Sequence, residues 1–318
     1  MTAAPGRACP LHYRYGAAAI ATAPERAVDT LYVIGGLYGN RPALDAVDAL
    51  VRAESAAGAT PTLCFNGDFN WFDVDDRTFA EINTRVLDHD ALLGNVEAEF
   101  DAASDDAGCG CAYPESVDAG TVDRSNHIHR LLKTTAARHP VLRERIARLP
   151  MLARYRVGAC RVGVVHGDAE SLAGWRFDVA ALDEPQAAPW LREVFGAAAV
   201  DVFASTHTCL PALRGVALPG GRHGCVVNNG AAGMPNFSGD LRGLVTRIAH
   251  TPATGPVLHE VVVAGAHVAL LPLAFDNPRW VAEFTAQWPP GSAAWKSYFQ
   301  RITRGPAYTP AQAVAGPR

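Results

Sequence analysis

Six times along this chain a short apolar run stops at glycine, aspartate, asparagine or histidine. Leu31-Tyr32-Val33-Ile34 runs into Gly35-Gly36, and residues 62–66 run into Gly67-Asp68. Ala91-Leu92-Leu93 meets Gly94-Asn95, and residues 161–165 meet His166-Gly167-Asp168. Residues 200–204 lead to His207, and Cys225-Val226-Val227 ends at Asn228-Asn229-Gly230. Runs of this length and polarity read as buried strands feeding tight turns. After the first of them, residues 42–55 place Leu44, Val47, Leu50 and Val51 at the helical period, with Pro42 in the first turn. Strand and helix alternate, which is the pattern of an α/β fold. In open α/β sheets ligands gather at the carboxyl ends of strands. Six such ends carrying Asp, Asn, His and Gly argue for one composite site.

Composition narrows the function classes. The chain has 318 residues, 49% hydrophobic and 19% charged, enough apolar material for a large core. At roughly 150 residues per domain that is two domains or one large one. Disorder, collagen and coiled coil are excluded. Lys plus Arg is 28 and Asp plus Glu is 32, a net charge of −4, with no basic stripe for nucleic acid. Seven cysteines is an odd count, which argues against a disulfide framework and for reduced thiols in a cytoplasmic protein. The run Ala17 to Ala23 is too short for a signal peptide. The longest apolar stretch, 257–275, is broken by His259, Glu260 and His267. It reads as two strands around Ala264-Gly265, not as a membrane span.

Two segments break the rhythm. Residues 101–150 carry a Gly- and Cys-rich start, Gly108-Cys109-Gly110-Cys111, and then turn basic and helical, a helical insertion over the site edge. Residues 276–318 follow the last strands, with Ser292 as a helix cap and a helix over 293–303. They read as a tail packed on the core. Residues 1–29 are an N-terminal extension, and 30–275 form the main domain.

Asp68, Asn95, His166 and His207 each have a plain reading as a turn residue or a hydrogen-bonded structural histidine. Taken together, each at a strand end, they form a mixed nitrogen and oxygen donor set suited to Mn, Fe or Zn. Cys109-x-Cys111 lacks two further ligands at zinc spacing. His127 and His129 read as part of a solvated helix face. No nucleophile elbow supports a serine-histidine-acid triad.

With these residues quoted, the chain resembles the calcineurin-like metallophosphoesterases over residues 30–275. That family's blocks run Asp-x-His, Gly-Asp, Gly-Asn-His-Glu, His-Gly and Gly-His-x-His. Here they appear as Gly36-Leu37-Tyr38-Gly39-Asn40, Asn66-Gly67-Asp68, Gly94-Asn95-Val96-Glu97, His166-Gly167-Asp168 and Thr206-His207-Thr208-Cys209. The resemblance implies a four-layer αββα sandwich of two mixed sheets and hydrolysis of a small-molecule phosphoester. It implies that Asp68, Asn95, His166 and His207 hold one divalent ion. The second ion's positions are Gly36, Tyr38 and Cys209, of which only Tyr38 and Cys209 have side chains that ligate. Asp73, Asp75 and Asp76 offer a replacement carboxylate. The family's third-block histidine is Val96, which cannot transfer a proton, implying slow turnover or a leaving group of low pKa. Three outcomes stay open at this point: a phosphoester hydrolase, a non-catalytic metal or ligand-binding protein on this fold, or different metal chemistry at a Tyr/Cys site. Oligomeric state is open as well.

Overall fold

Strands that are apolar at every position need cover on both faces, and two sheets packed back to back supply it. The structure, a computed structural model, describes residues 4–7, 9–102 and 106–314. Its strands are β1 (Glu25–Ala27), β2 (Thr30–Ile34), β3 (Pro61–Asn66), β4 (Asp90–Leu92), β5 (Leu152–Val157) and β6 (Cys160–Val165). They continue as β7 (Val202–Ser205), β8 (Pro211–Ala217), β9 (His223–Asn229), β10 (Gly243–Ala249), β11 (His259–Val263) and β12 (Ala266–Leu273). The helices are α1 (Ala17–Thr22), α2 (Arg41–Ala56), α3 (Asp76–Val86), α4 (Asn95–Ala98), α5 (Ala119–Ala137) and α6 (Pro140–Ala147). After them come α7 (Val179–Leu182), α8 (Ala187–Ala198), α9 (Asn277–Gln287), α10 (Ala293–Arg304) and α11 (Pro310–Val314).

One sheet runs β1-β5-β6-β7-β9-β8 and the other β11-β12-β10-β2-β3-β4. Both are mixed. β2, β3 and β4 are parallel neighbours, as are β6, β7 and β9, while β10 and β12 pair antiparallel. Side-chain alternation then sorts each strand into two cores. Leu31 and Val33 of β2 enter the layer between the sheets with Val162, Val164, Val202 and Val227. Tyr32 and Ile34 face outward and meet Leu44 and Val47 of α2 and Trp280 of α9. On the other outer face Phe203 and Val226 pack against Ile20 of α1 and Phe195 of α8. This is the four-layer αββα sandwich. No helix among the described residues is long and apolar enough to cross a membrane.

β2, β3, β4, β6, β7 and β9 occupy the six expected apolar runs, and β11 and β12 flank Ala264-Gly265. β1, β5, β8 and β10 are additions, and the last three carry arginine inside the sheet. Arg154 of β5 pairs with Glu25 at 2.9 Å and Arg214 of β8 with Asp183 at 2.7 Å. Arg247 of β10, 4% exposed, pairs with Glu54 of α2 at 2.5 Å. Glu54 also accepts a hydrogen bond from Tyr32 of β2. These charges interrupt the apolar run, and their partners lie far away in sequence.

Breaking a buried pair from one side leaves an uncompensated charge. Arg247→Leu should therefore lower unfolding free energy in urea by about 3 kcal/mol. Adding Glu54→Gln should recover part of that loss.

Candidate metal centre

β3 ends at Asn66 and the chain reverses at once. Gly67 and Asp68 both take left-handed backbone, with φ of 74° and 50°. A Cβ on Gly67 would lie 2.4 Å from the Gly94 backbone and 2.7 Å from Nδ1 of His166. Glycine is thus what lets three strand-end loops meet. Glu97, at the start of α4, ties two of them together. Its carboxylate accepts the backbone N–H groups of Asp68 (2.8 Å), Asn70 (3.0 Å) and Gly94 (3.1 Å). Burial and then Asp68 push the Glu97 carboxyl up to about 7.

His166 stands where the two sheets meet. Its Nδ1 lies 2.8 Å from the Asn66 carbonyl oxygen, which can only accept. Nδ1 therefore carries the hydrogen, and in the neutral ring Nε2 presents a lone pair. Asn95 gives its side-chain N–H groups to the Cys109 carbonyl (2.9 Å) and the Cys111 sulfur (3.4 Å). Its Oδ1 is thereby turned toward His166 Nε2, at 3.1 Å. Nδ1 of His207 lies 3.2 Å from the same nitrogen and Oδ1 of Asp68 3.4 Å from it.

Four acceptor-bearing atoms thus crowd one point, with too few protons among them. Asp68, His166 and His207 are buried, and one ligand atom from each lies within 4.8 Å of the others. Nε2 of His207 is buried without a hydrogen-bond partner among the described residues. Burial, then His166, pushes the His207 ring down to about 3, so it stays neutral. Burial alone would raise the Asp68 carboxyl, but the His166 ring outweighs it and holds it below its ordinary value. On His166 burial opposes the charged form, and Asp68 reverses the balance and raises it. One carboxylate, one amide oxygen and two imidazoles fit a divalent ion of the Mn, Fe or Zn kind.

Tyr38 and Cys209 also take left-handed backbone, φ 57° and 62°, at the same edge. Their side chains meet each other, hydroxyl to sulfur, at 2.9 Å. Burial pushes both the phenol and the thiol up, so both are held neutral. Gly36 contributes no side chain. The cluster opens into a cavity of ≈190 Å³ walled by Trp71, Tyr113, Trp175, Met234, Tyr298 and Arg301. A larger groove of ≈560 Å³ lies along α5 and contains none of the four cluster residues.

The cavity walls were not among the expected site residues. Trp175 sits on a loop built by Asp168, which accepts the N–H groups of Glu170 (2.9 Å), Ser171 (3.1 Å) and Arg176 (3.1 Å). Its indole donates to the Cys111 carbonyl at 3.0 Å, and its ring lies edge-on to His207 at 5.2 Å. Tyr298 and Arg301 come from α10. Their three-residue spacing puts them on one face of the helix, but nothing local says that this face meets the cavity.

Several expectations are corrected here. His129 is not solvated: it is buried, with Nε2 2.9 Å from the Val96 carbonyl, while His127 is exposed. Asp75 caps α3 by accepting Thr78 N–H at 2.9 Å, and Asp76 pairs with Arg138 at 2.8 Å. Asp73 turns inward to accept Trp71 N–H at 2.8 Å, and its Oδ2 has no hydrogen-bond partner among the described residues. None of the three joins the cluster. Cys109 and Cys111 form a bonded pair two residues apart, whereas Cys9, Cys64, Cys160, Cys209 and Cys225 are free thiols.

No family model matches the chain, and no curated protein matches it. Among solved structures it is similar to a hypothetical protein from Pyrococcus horikoshii, with TM-score 0.58 and 13% identity, covering 88% of this chain and 99% of that one. It is also similar to a metallophosphoesterase from Sphaerobacter thermophilus, with TM-score 0.53 and 17% identity, covering 88% of this chain and 100% of that one. The fold is therefore that of a metallophosphoesterase.

Burial pushes the Asp73 carboxyl from 3.8 up to about 7. The folded chain then holds this proton more tightly than the unfolded chain does. Its stabilising effect is complete below pH ~4 and is lost as pH rises to ~7. Asp73→Asn should remove that dependence, gaining on the order of 2 kcal/mol over wild type at pH 8 and little at pH 4, by thermal and urea unfolding.

Proposed function

We propose that this chain is a metal-dependent phosphoester hydrolase working with one divalent ion on a small-molecule substrate. The observation that carries the reading is the convergence of Asp68, Asn95, His166 and His207 on one buried point. A bound divalent ion there supplies Lewis-acid polarisation of a phosphoryl oxygen and of a water. The chain's own contribution is rigidity and charge. Asn66 fixes the His166 tautomer, Cys109 fixes the Asn95 amide, and Trp175 braces the His207 ring. Asp68 supplies the one negative charge of the set. Preorganised donors of this kind need no rearrangement as charge develops in the transition state.

The contact between Tyr38 and Cys209 favours a single ion over a pair. The hydroxyl lies against the sulfur, and the sulfur also meets the His207 carbonyl at 3.3 Å, so both polar atoms are already engaged within the protein. The cavity of ≈190 Å³ suits a small ester, not a polymer.

Protein purified without added metal should carry about one equivalent of Mn, Fe or Zn by elemental analysis. It should cleave bis(p-nitrophenyl) phosphate. His207→Ala should lose the metal and lower cleavage by on the order of 100-fold or more. Two equivalents of metal would remove the single-ion reading. Retained metal with no cleavage of any ester would make the chain a binding protein.

A further inference from the structure

The hydrolase reading leaves its substrate unnamed, and the cavity beside the cluster has a composition of its own. Trp71 and Tyr298 meet edge to face, with ring centroids 6.5 Å apart at 83°. Tyr113 and Trp175 are 6.0 Å apart at 46°, and Trp175 continues onto His207 at 5.2 Å. Aromatic surface therefore runs from a cluster residue, His207, through Trp175 to Tyr113, with Trp71 and Tyr298 as a second pair on the wall. Such walls take a flat ring by offset or edge-to-face contact. The volume, ≈190 Å³, is close to the roughly 150 Å³ of an apolar cavity that holds one benzene.

Charge and proton supply narrow the class further. Arg301 is the only lysine or arginine among the described residues lining the cavity. Its Nε donates to the Pro235 carbonyl (3.2 Å) and its Nη2 to the Cys209 carbonyl (2.6 Å). Those bonds hold the guanidinium in place and leave further N–H groups for an oxyanion. The wall next to Asp68 is Val96, whose backbone N–H lies 3.3 Å from Asp68 Oδ1 and whose side chain is alkyl. The Tyr113 hydroxyl is engaged with Ser125 at 3.1 Å, and the Tyr38 hydroxyl with Cys209 at 2.9 Å. Among the described residues lining the cavity Asp68 is the only carboxyl, and it is held ionised, so no carboxylic acid there protonates a departing oxygen.

We infer, resting on the hydrolase reading, that the substrate is a phosphoester of a single-ring phenol. The ring packs among Trp71, Tyr113, Trp175 and Tyr298, and the phosphoryl group lies between the cluster and Arg301. Water oxygen bonds to phosphorus and the bond from phosphorus to the aryl oxygen breaks. The electron pair leaves on the aryloxide, and the water's proton goes to solvent. An aryloxide can depart unprotonated because phenols have a pKa of about 10, against about 16 for water-like alcohols.

Phenylphosphonate and methylphosphonate, which cannot be cleaved at this bond, test the site by quenching of tryptophan fluorescence, with and without Mn. The phenyl compound should bind about tenfold more tightly. Tyr298→Leu should erase most of that preference, and Tyr298→Phe should keep it. A series of aryl phosphates should turn over faster as the phenol becomes more acidic, and alkyl phosphates should barely react. Equal binding of the two phosphonates, or rates indifferent to the leaving group, overturns the assignment. Aryl-selective binding with no turnover of any ester keeps the aryl site and overturns the hydrolase reading instead.

Discussion

Asn66 joins the two sheets by a reciprocal pair of hydrogen bonds. Its side-chain N–H reaches the Val165 carbonyl at 2.8 Å, and its own carbonyl takes the His166 ring hydrogen at 2.8 Å. β3 belongs to one sheet and β6 to the other, so this pair sets the register between them. It also decides the His166 tautomer. With Nδ1 committed, Nε2 is the atom left facing Asp68, Asn95 and His207. The donor character of the cluster is thus a by-product of how the sandwich is closed.

The same closeness explains the residues that look merely permissive. A Cβ on Gly94 would sit 2.2 Å from Oδ1 of Asp68, and one on Gly35 would sit 2.3 Å from Thr206. Glycine at these points lets strand ends from different sheets approach within contact. Glu97 then satisfies backbone N–H groups that the approach would otherwise strand in a buried place. Two carboxylates, Asp68 and Glu97, lie side by side with different duties. Asp68 faces the imidazoles and stays ionised, whereas Glu97 faces only backbone and amide donors and holds its proton far more readily.

How much was legible follows from where the information lies. β2, β3, β6, β7 and β9 are written in short continuous stretches, because strands buried on both faces have no polar side. β5, β8 and β10 are not, because Arg154, Arg214 and Arg247 find acids that sequence proximity does not reveal. Asp68, Asn95, His166 and His207 were legible because each follows its strand immediately, so topology alone gathers them. Trp175, Tyr298 and Arg301 reach the cavity through loop and helix packing that local pattern does not encode. The duty of Glu97 was hidden for a different reason: it contacts backbone, which carries no residue-type signal. His129 failed in the opposite sense, since a basic helix looked wet while its inner face was dry.

The order of assembly differs between cluster and cavity. The last of the four cluster residues is His207, whereas Tyr298 and Arg301 lie on α10, beyond the final strand. Chains are made from the N-terminus, but a domain generally folds as a unit. In chain order the donor set is complete at His207, with Trp71, Tyr113 and Trp175 already made, whereas the last walls, Met234, Tyr298 and Arg301, follow it. A chain stopped short of α10 would carry all four donors and lack Tyr298 and Arg301 from the cavity wall.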